Sequence, residues 1–264
     1  MFGLVTRSAA DLDHPHFERV FFEVKDVTGR RSDPIAEGIN MVSCHGDTQA
    51  SADPDLVAIN DEDEPATRDR RYFDWGYVCP THEGYRTGLV ELIEGCVEVN
   101  DNLRLDDVGF PRAEYCFCER CTRAFETSTF TDRFEWRASV ITNFVEQAAE
   151  RIPGRTYLTV YPDPYPGHLE ERSGLNPPSV ERYVDEIVIP IYDLHYATTY
   201  WLEILAKGFQ ELLSIPFGIE LYAVDIDIES LVHAAEVAGA YADHVYFAYD
   251  TSNALKAIEQ LEGD

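Results

Sequence analysis

Lysine is almost missing from this sequence. The 264 residues contain only Lys25, Lys207 and Lys256, and 49 acidic residues face 21 basic ones, for a net charge of −28. A phosphate-binding surface needs a clustered basic patch, and the one dense patch here, Arg68, Arg70 and Arg71, is interrupted by Asp69. Nucleic acid is therefore excluded as an expected partner. The acid excess runs along the whole chain instead of gathering in a tail. Many hydrated carboxylates with few long ammonium side chains suit a protein kept in concentrated salt, where repulsion between surface acids is screened, so a salt-loving source is expected. No apolar run approaches the roughly 18 residues needed to cross a bilayer, and MFGLVTRSAADLD carries no charged stretch ahead of an apolar one. No membrane partner is expected, and cysteines that look unpaired place the protein in the cytoplasm. Glycine-rich phosphate fingerprints, internal repeats and low-complexity segments are missing as well.

Three of the six cysteines stand close together, in Cys116-x-Cys118-x-x-Cys121. Cys116 and Cys118 are too near in sequence to bridge easily, whereas thiolates converging from a tight turn suit tetrahedral Zn²⁺. Cys79 is the expected fourth ligand, because it ends the long loop before one helix and should lie beside the loop after the next strand. His82 is its rival. Cys44 and Cys96 sit in apolar runs and read as core thiols. Four thiolates leave no open position for water, so the zinc is expected to be structural.

Near-continuous apolar runs recur along the chain: FGLVT (2–6), ERVFFEVKD (18–26), INMVSCHGD (39–47), LRLDDV (103–108), TYLTVYPD (156–163), EIVIPIYD (186–193), FGIELYAVD (217–225) and HVYFAYD (244–250). Helical periodicity lies between the later ones, near 83–97, 132–151, 199–208, 229–239 and 252–262. Eight such strands predict an α/β fold in which residues 1–264 form a single (β/α)8 TIM-type barrel. Short connections with His14, Pro15, Gly29 and Pro34 abbreviate its first units. After the third strand comes a long acidic loop, 46–78, which is expected to fold over the C-terminal face.

In such a barrel the C-terminal ends of the strands build the site. Those positions carry His45 and Asp47, Asp106 and Asp107, Asp163, Asp193 and His195, Glu220 with Asp225 beyond it, and Tyr249 with Asp250. Glu220 interrupts an apolar strand, so it must be paired, hydrogen-bonded or neutral. It is either a second catalytic acid or the partner of an inward arginine such as Arg104. Trp75, Tyr77, Tyr161, Tyr165, Tyr192, Tyr196 and Trp201 could stack on sugar rings or pack on the barrel.

CPTHEGYR, LRLDDVGFP and YCFCERCTRAF together resemble glycoside-hydrolase-like (β/α)8 families. There the fourth strand ends in an acid, followed by an aromatic-Pro turn and a Cys-x-Cys-x-x-Cys. DPDLVAINDEDEPATR resembles their loop after strand three, so the likeness spans roughly residues 40 to 125. A similar four-cysteine zinc site occurs in the β-galactosidases of glycoside hydrolase family 42. That likeness implies Cys79, Cys116, Cys118 and Cys121 as ligands and a strand-seven nucleophile at Glu220. Gly109 departs from the pattern, standing where those families carry an arginine two residues before the proline.

The leading expectation is a glycoside-hydrolase-like enzyme acting on a carbohydrate, with Asp106 or Asp107 as acid/base and Glu220 or Asp193 as its partner. His45, Trp75, Tyr77, Tyr161, Asp163, Tyr192 and His195 are expected to bind substrate. One alternative is a barrel that binds sugar or protein without catalysis, as Gly109 would favour. Another is a divalent-metal hydrolase or isomerase using Glu23, His45, Glu220 and Asp250.

Overall fold

The computed structural model describes residues 1–12, 14–192 and 199–263. Its strands are β1 (Phe2–Thr6), β2 (Arg19–Lys25), β3 (Ile39–Ser43), β4 (Leu103–Asp106), β5 (Thr156–Thr159), β6 (Glu186–Ile191), β7 (Phe217–Tyr222) and β8 (His244–Ala248). Each pairs in parallel with its sequence neighbour, and β8 returns to β1 to close the barrel. Closure removes both sheet edges and buries the strands on two faces, which is why their sequences are apolar almost throughout.

Helices α1 (Glu83–Val97), α2 (Glu119–Glu126), α3 (Arg133–Ala149), α4 (His168–Ser173), α5 (Pro177–Val180), α6 (Thr199–Leu212), α7 (Ile228–Gly239) and α8 (Thr251–Gly263) complete the chain. Among the described residues only a 3₁₀ turn at Ala9–Asp11 lies between β1 and β2, and no helix lies between β2 and β3, so the first units are abbreviated as expected. The helices α2, α4 and α5 fall where the sequence reads as loop. They have eight residues or fewer, too few turns for a periodic apolar face to stand out. The cap expected at Asp132 is present, its carboxylate accepting from the amides of Phe134 and Glu135. None of the described helices is long and apolar enough to cross a membrane.

Inside the barrel, Val5, Phe21, Met41, Tyr157, Val188 and Tyr246 form a packed plug, with Phe21 edge-on to Tyr157 and Tyr246 at 5.1 and 5.0 Å. Toward the N-terminal end, Glu186 is fully buried and accepts from Arg19 at 2.6 Å and from the Tyr246 hydroxyl at 2.5 Å. Against the opposing effect of burial, His244, whose Nδ1 lies 3.0 Å away, then Tyr246 and the Arg19 charge hold its carboxyl below the ordinary range. The interior is thus closed below, and the space for a ligand lies at the C-terminal mouth.

Candidate active site

The β4 strand ends at Asp106, and the next residue, Asp107, adopts a left-handed backbone with φ of 47°. Successive strand residues face opposite sides. The turn at Asp107 breaks that alternation, and both acids line one cavity of about 500 Å³ at the mouth. The other walls include Arg7 beyond β1, Glu23 of β2, Trp75 of the long loop, Tyr161 after β5, Tyr192 after β6, Tyr222 of β7 and Tyr249 after β8. The charge of Asp106 is felt by Glu23, Asp107, Arg104, Tyr161, Tyr192 and Tyr249, which puts it at the centre of the mouth.

Asp107 is held well above the usual carboxylate range, by burial first and by the neighbouring charge of Asp106 second. Ser43 and Lys25 pull the other way without prevailing. Its carboxyl is therefore biased toward the protonated form, the direction a general acid needs. Opposite it, Arg7 Nε and the Tyr249 hydroxyl (3.3 Å) both donate to Glu23, and the Arg7 guanidinium lies 4.2 Å over the Tyr249 ring. Burial raises Glu23 while Arg7 opposes the shift. Tyr249 sits at φ of 71°, an uncommon conformation for so bulky a residue. Such strain gathers where a side chain must be aimed. A register shift between Glu23 and Lys25 sends the first to the cavity and the second toward β3.

Glu220 does not line this cavity. It is fully buried, paired with Arg104 at 2.5 Å and accepting from the Tyr192 hydroxyl. Arg104 is held in turn by Thr159 Oγ1 at 2.9 Å and by the Phe21 ring at 5.0 Å. Of its two expected roles, catalytic acid or arginine partner, this geometry supports the second, because the parity of β7 points Glu220 at the inward-facing arginine of β4. The carboxylate that does share the cavity is Glu23, which the sequence suggested only as a metal ligand. Its signal was a lone acid in the apolar run RVFFEVK.

The expected binding residues divide. Trp75, Tyr161 and Tyr192 line the cavity, and Tyr77 stands behind them with its hydroxyl 3.2 Å from that of Tyr161. His45 is turned into the core instead. It is fully buried against Phe144 at 4.9 Å, and its Nδ1 accepts from the Gly109 amide at 3.0 Å. Burial lowers its pKa to about 3, so it stays neutral and clamps the turn after Asp107. Asp163 is also absent from the lining, accepting from the Tyr165 amide and pairing with His168 at 3.0 Å. Trp201 is half exposed on α6. Asp193, His195 and Tyr196 lie outside the described residues.

Gly109 takes φ of 143°, and a Cβ there would stand 2.8 Å from the Ser173 carbonyl oxygen. No side chain fits without moving α4, so an arginine at this position is excluded by the path of the backbone.

Cys79, Cys116, Cys118 and Cys121 converge, their sulfurs within 4.8 Å of one another, and no disulfide links them. Cys79 Sγ lies 3.4 Å from Cys121 Sγ and 3.7 Å from Cys118 Sγ. Four thiolates around one zinc at ~2.3 Å sit about 3.8 Å apart, so the set fits that ion. His82 is corrected as a rival ligand: its Nδ1 caps α1 through the Tyr85 amide and its Nε2 faces Asp55 at 3.2 Å. Among the described residues this is the single group arranged to hold a metal. The alternative of a divalent-metal site from Glu23, His45, Glu220 and Asp250 is therefore not assembled. The cluster also ties down the long loop, through Ile59 N to Cys116 Sγ (3.4 Å), Phe117 N to Ile59 O (2.7 Å) and Cys79 N to Leu56 O (2.8 Å).

No protein-family model matches the sequence, and no curated protein matches it either. Among solved structures, the fold is similar to the PgaB (BpsB) glycoside hydrolase domain from Bordetella bronchiseptica, with a TM-score of 0.73 at 12% identity over 99% of this chain and 96% of that one. The Ignisphaera aggregans GH53 catalytic domain is more distant, with a TM-score of 0.44 at 10% identity over 93% and 79%. The first of these shares with this chain the closed eight-stranded (β/α)8 architecture.

Proposed function

We propose that this barrel hydrolyses a glycosidic bond in a carbohydrate held at its mouth. The observation that carries the reading is the pair Asp106 and Asp107, both lining one aromatic-walled cavity, with the Asp107 carboxyl raised by burial and by the charge of Asp106. Asp107 would give its proton to the departing sugar oxygen. Asp106 would face the developing positive charge, as nucleophile or as base toward water. Trp75, Tyr161, Tyr192, Tyr222 and Tyr249 offer faces for sugar rings. Glu220 acts through Arg104 as a positioning residue. Arg7 is the one cation in the described lining and is already paired with Glu23, so the cavity is net negative and disfavours uronates and sulfated sugars. The same field repels nucleic acid.

The four cysteines would hold a structural zinc whose role is to fix the long loop, and with it Trp75, against the loop after β4. The acidic surface supports a protein working in concentrated salt, and the free cysteines support a reducing compartment.

Release of reducing ends from neutral and amino oligosaccharides in molar KCl tests the reading. Asp106→Asn and Asp107→Asn should each lower turnover at least about 100-fold. Turnover that survives both substitutions overturns it. A second reading, a barrel that binds sugar without cutting it, is favoured by the withdrawal of Glu220 into its ion pair. Retention of the protein on immobilised glycan without any product would establish that reading instead.

A further inference from the structure

The buried hydroxyl of Ser43 has more acceptors than it has protons. Its Oγ lies 2.8 Å from the carbonyl oxygen of Gly46 and 2.8 Å from Oδ2 of Asp107. A serine hydroxyl carries one proton and can satisfy one of them. The carbonyl has no hydrogen to offer, so when Ser43 donates to it the second contact is a hydrogen bond if Asp107 supplies the proton, and when Ser43 donates to Oδ2 the carbonyl must take its hydrogen elsewhere. The Gly46 carbonyl does not depend on Ser43 alone, because Lys25 Nζ also donates to it at 3.1 Å while bonding Ser43 O at 2.7 Å and Asp47 Oδ2 at 3.1 Å. Gly46 itself leaves no slack, since a Cβ there would meet Asp107 Oδ2 at 3.1 Å and Trp75 Nε1 at 2.9 Å.

We propose that Ser43 is a two-position donor for Asp107. While Asp107 is protonated, Ser43 accepts its hydrogen and donates to the Gly46 carbonyl; once Asp107 is charged, the hydroxyl turns and donates to Oδ2. Lys25 covers the carbonyl in both states, so the turn leaves no buried acceptor bare. Among the described residues no hydrogen bond reaches Asp107 Oδ1, which is left for the ligand. Ser43 is in this sense a positioning residue, and the inference rests on Asp107 being the acid of the proposed hydrolysis. In that reaction the carboxyl turns over, so that its protonated oxygen leaves Ser43 and hands the proton to the leaving oxygen, which takes the electron pair of the broken C–O bond, while the other carboxylate oxygen comes to Ser43. The carboxylate then gains a donor as its charge appears.

The groups that face Asp107 are Asp106 beside it, Glu23 and Lys25 from β2, Cys44 beyond β3, Tyr77 and Trp75 from the long loop, and Tyr161 after β5. None of them would mimic the loss of one hydroxyl. The experiment is a pH titration of the Asp carboxyl carbons by ¹³C NMR on the full chain, the Asp107 signal being assigned by its loss in Asp107→Asn. In the wild type Asp107 should remain protonated at neutral pH. Ser43→Ala should move its titration upward by about one pH unit, because the charged form loses a donor. Ser43→Thr, which keeps the hydroxyl, should restore it.

An unmoved titration in Ser43→Ala overturns the proposal, as does a wild-type Asp107 already charged at pH 6. If Ser43→Ala does not fold, Ser43→Cys, a weaker donor, carries the test: its Asp107 titration should also move upward, and an unmoved one overturns the proposal. Because the titration is read without substrate, a protein that shows it but cuts no glycan overturns the hydrolase reading and leaves the role of Ser43 standing.

Discussion

Replacing Glu220 with glutamine separates a structural acid from a catalytic one. The substitution keeps the shape and removes the charge that answers Arg104, whose side chain is 1% exposed, as is that of Glu220. The pair is 2.5 Å apart, Arg104 has Thr159 as a neutral acceptor, and no other carboxylate touches it among the described residues. Removing one partner of a buried ion pair strands the other, at about 3–5 kcal/mol. For a chain of this size each kcal/mol moves Tm by about 2–4 °C, so Glu220→Gln should unfold roughly 6 to 20 °C earlier. Urea unfolding gives the free energy, with the slope checked for constancy so that a change in midpoint reports stability. Arg104→Met combined with Glu220→Gln should recover most of the loss, since the stranded charge is gone. Two results would refute the reasoning: a single variant within about 1 kcal/mol of the wild type, or a double variant no better than the single. A Glu220→Gln protein as stable as the wild type but without turnover would return Glu220 to the catalytic role that the site geometry withholds.

Two further outcomes follow from the same contacts. Folding raises the Asp107 carboxyl, which the unfolded chain ionises above about pH 4, so the stability it contributes is complete below that pH and is lost as pH rises toward the folded value. Asp107→Asn should remove this fall, making the variant more stable than the wild type at pH 7 in thermal unfolding while turnover drops; equal melting temperatures at pH 7 would contradict the assignment. Cys79→Ser should reduce bound zinc, measured by elemental analysis, from one ion per chain and lower Tm by at least about 5 °C. Faster hydrogen exchange should accompany it at the amides of Ala58, Tyr77 and Phe117, which bond within the long loop or to it. A metal-free protein that melts unchanged would remove zinc from the fold.

The strands, the long helices and the four cysteines were legible in the sequence because each is a local pattern. Apolar runs announce strands buried on both faces. Periodic apolar residues such as Ile141, Phe144, Val145 and Ala148 announce a helix face, and Cys116-x-Cys118-x-x-Cys121 brings three thiolates to one turn through its own spacing. Position at the strand ends was enough to nominate Asp106 and Asp107. The uses of individual side chains were decided by what comes across the barrel. Glu220 meets Arg104 from β4, and His45 meets Gly109 and Phe144. Glu23 shares a cavity with Asp106 and Asp107, 83 and 84 positions later, and Gly109 yields to the backbone of Ser173. A carboxylate or an imidazole takes its protonation from burial and from the charges around it. Both are tertiary quantities, so the sequence determined that acids would gather at the mouth of a barrel, and only the folded chain decided which of them line a cavity, which has its carboxyl raised and which pairs with an arginine.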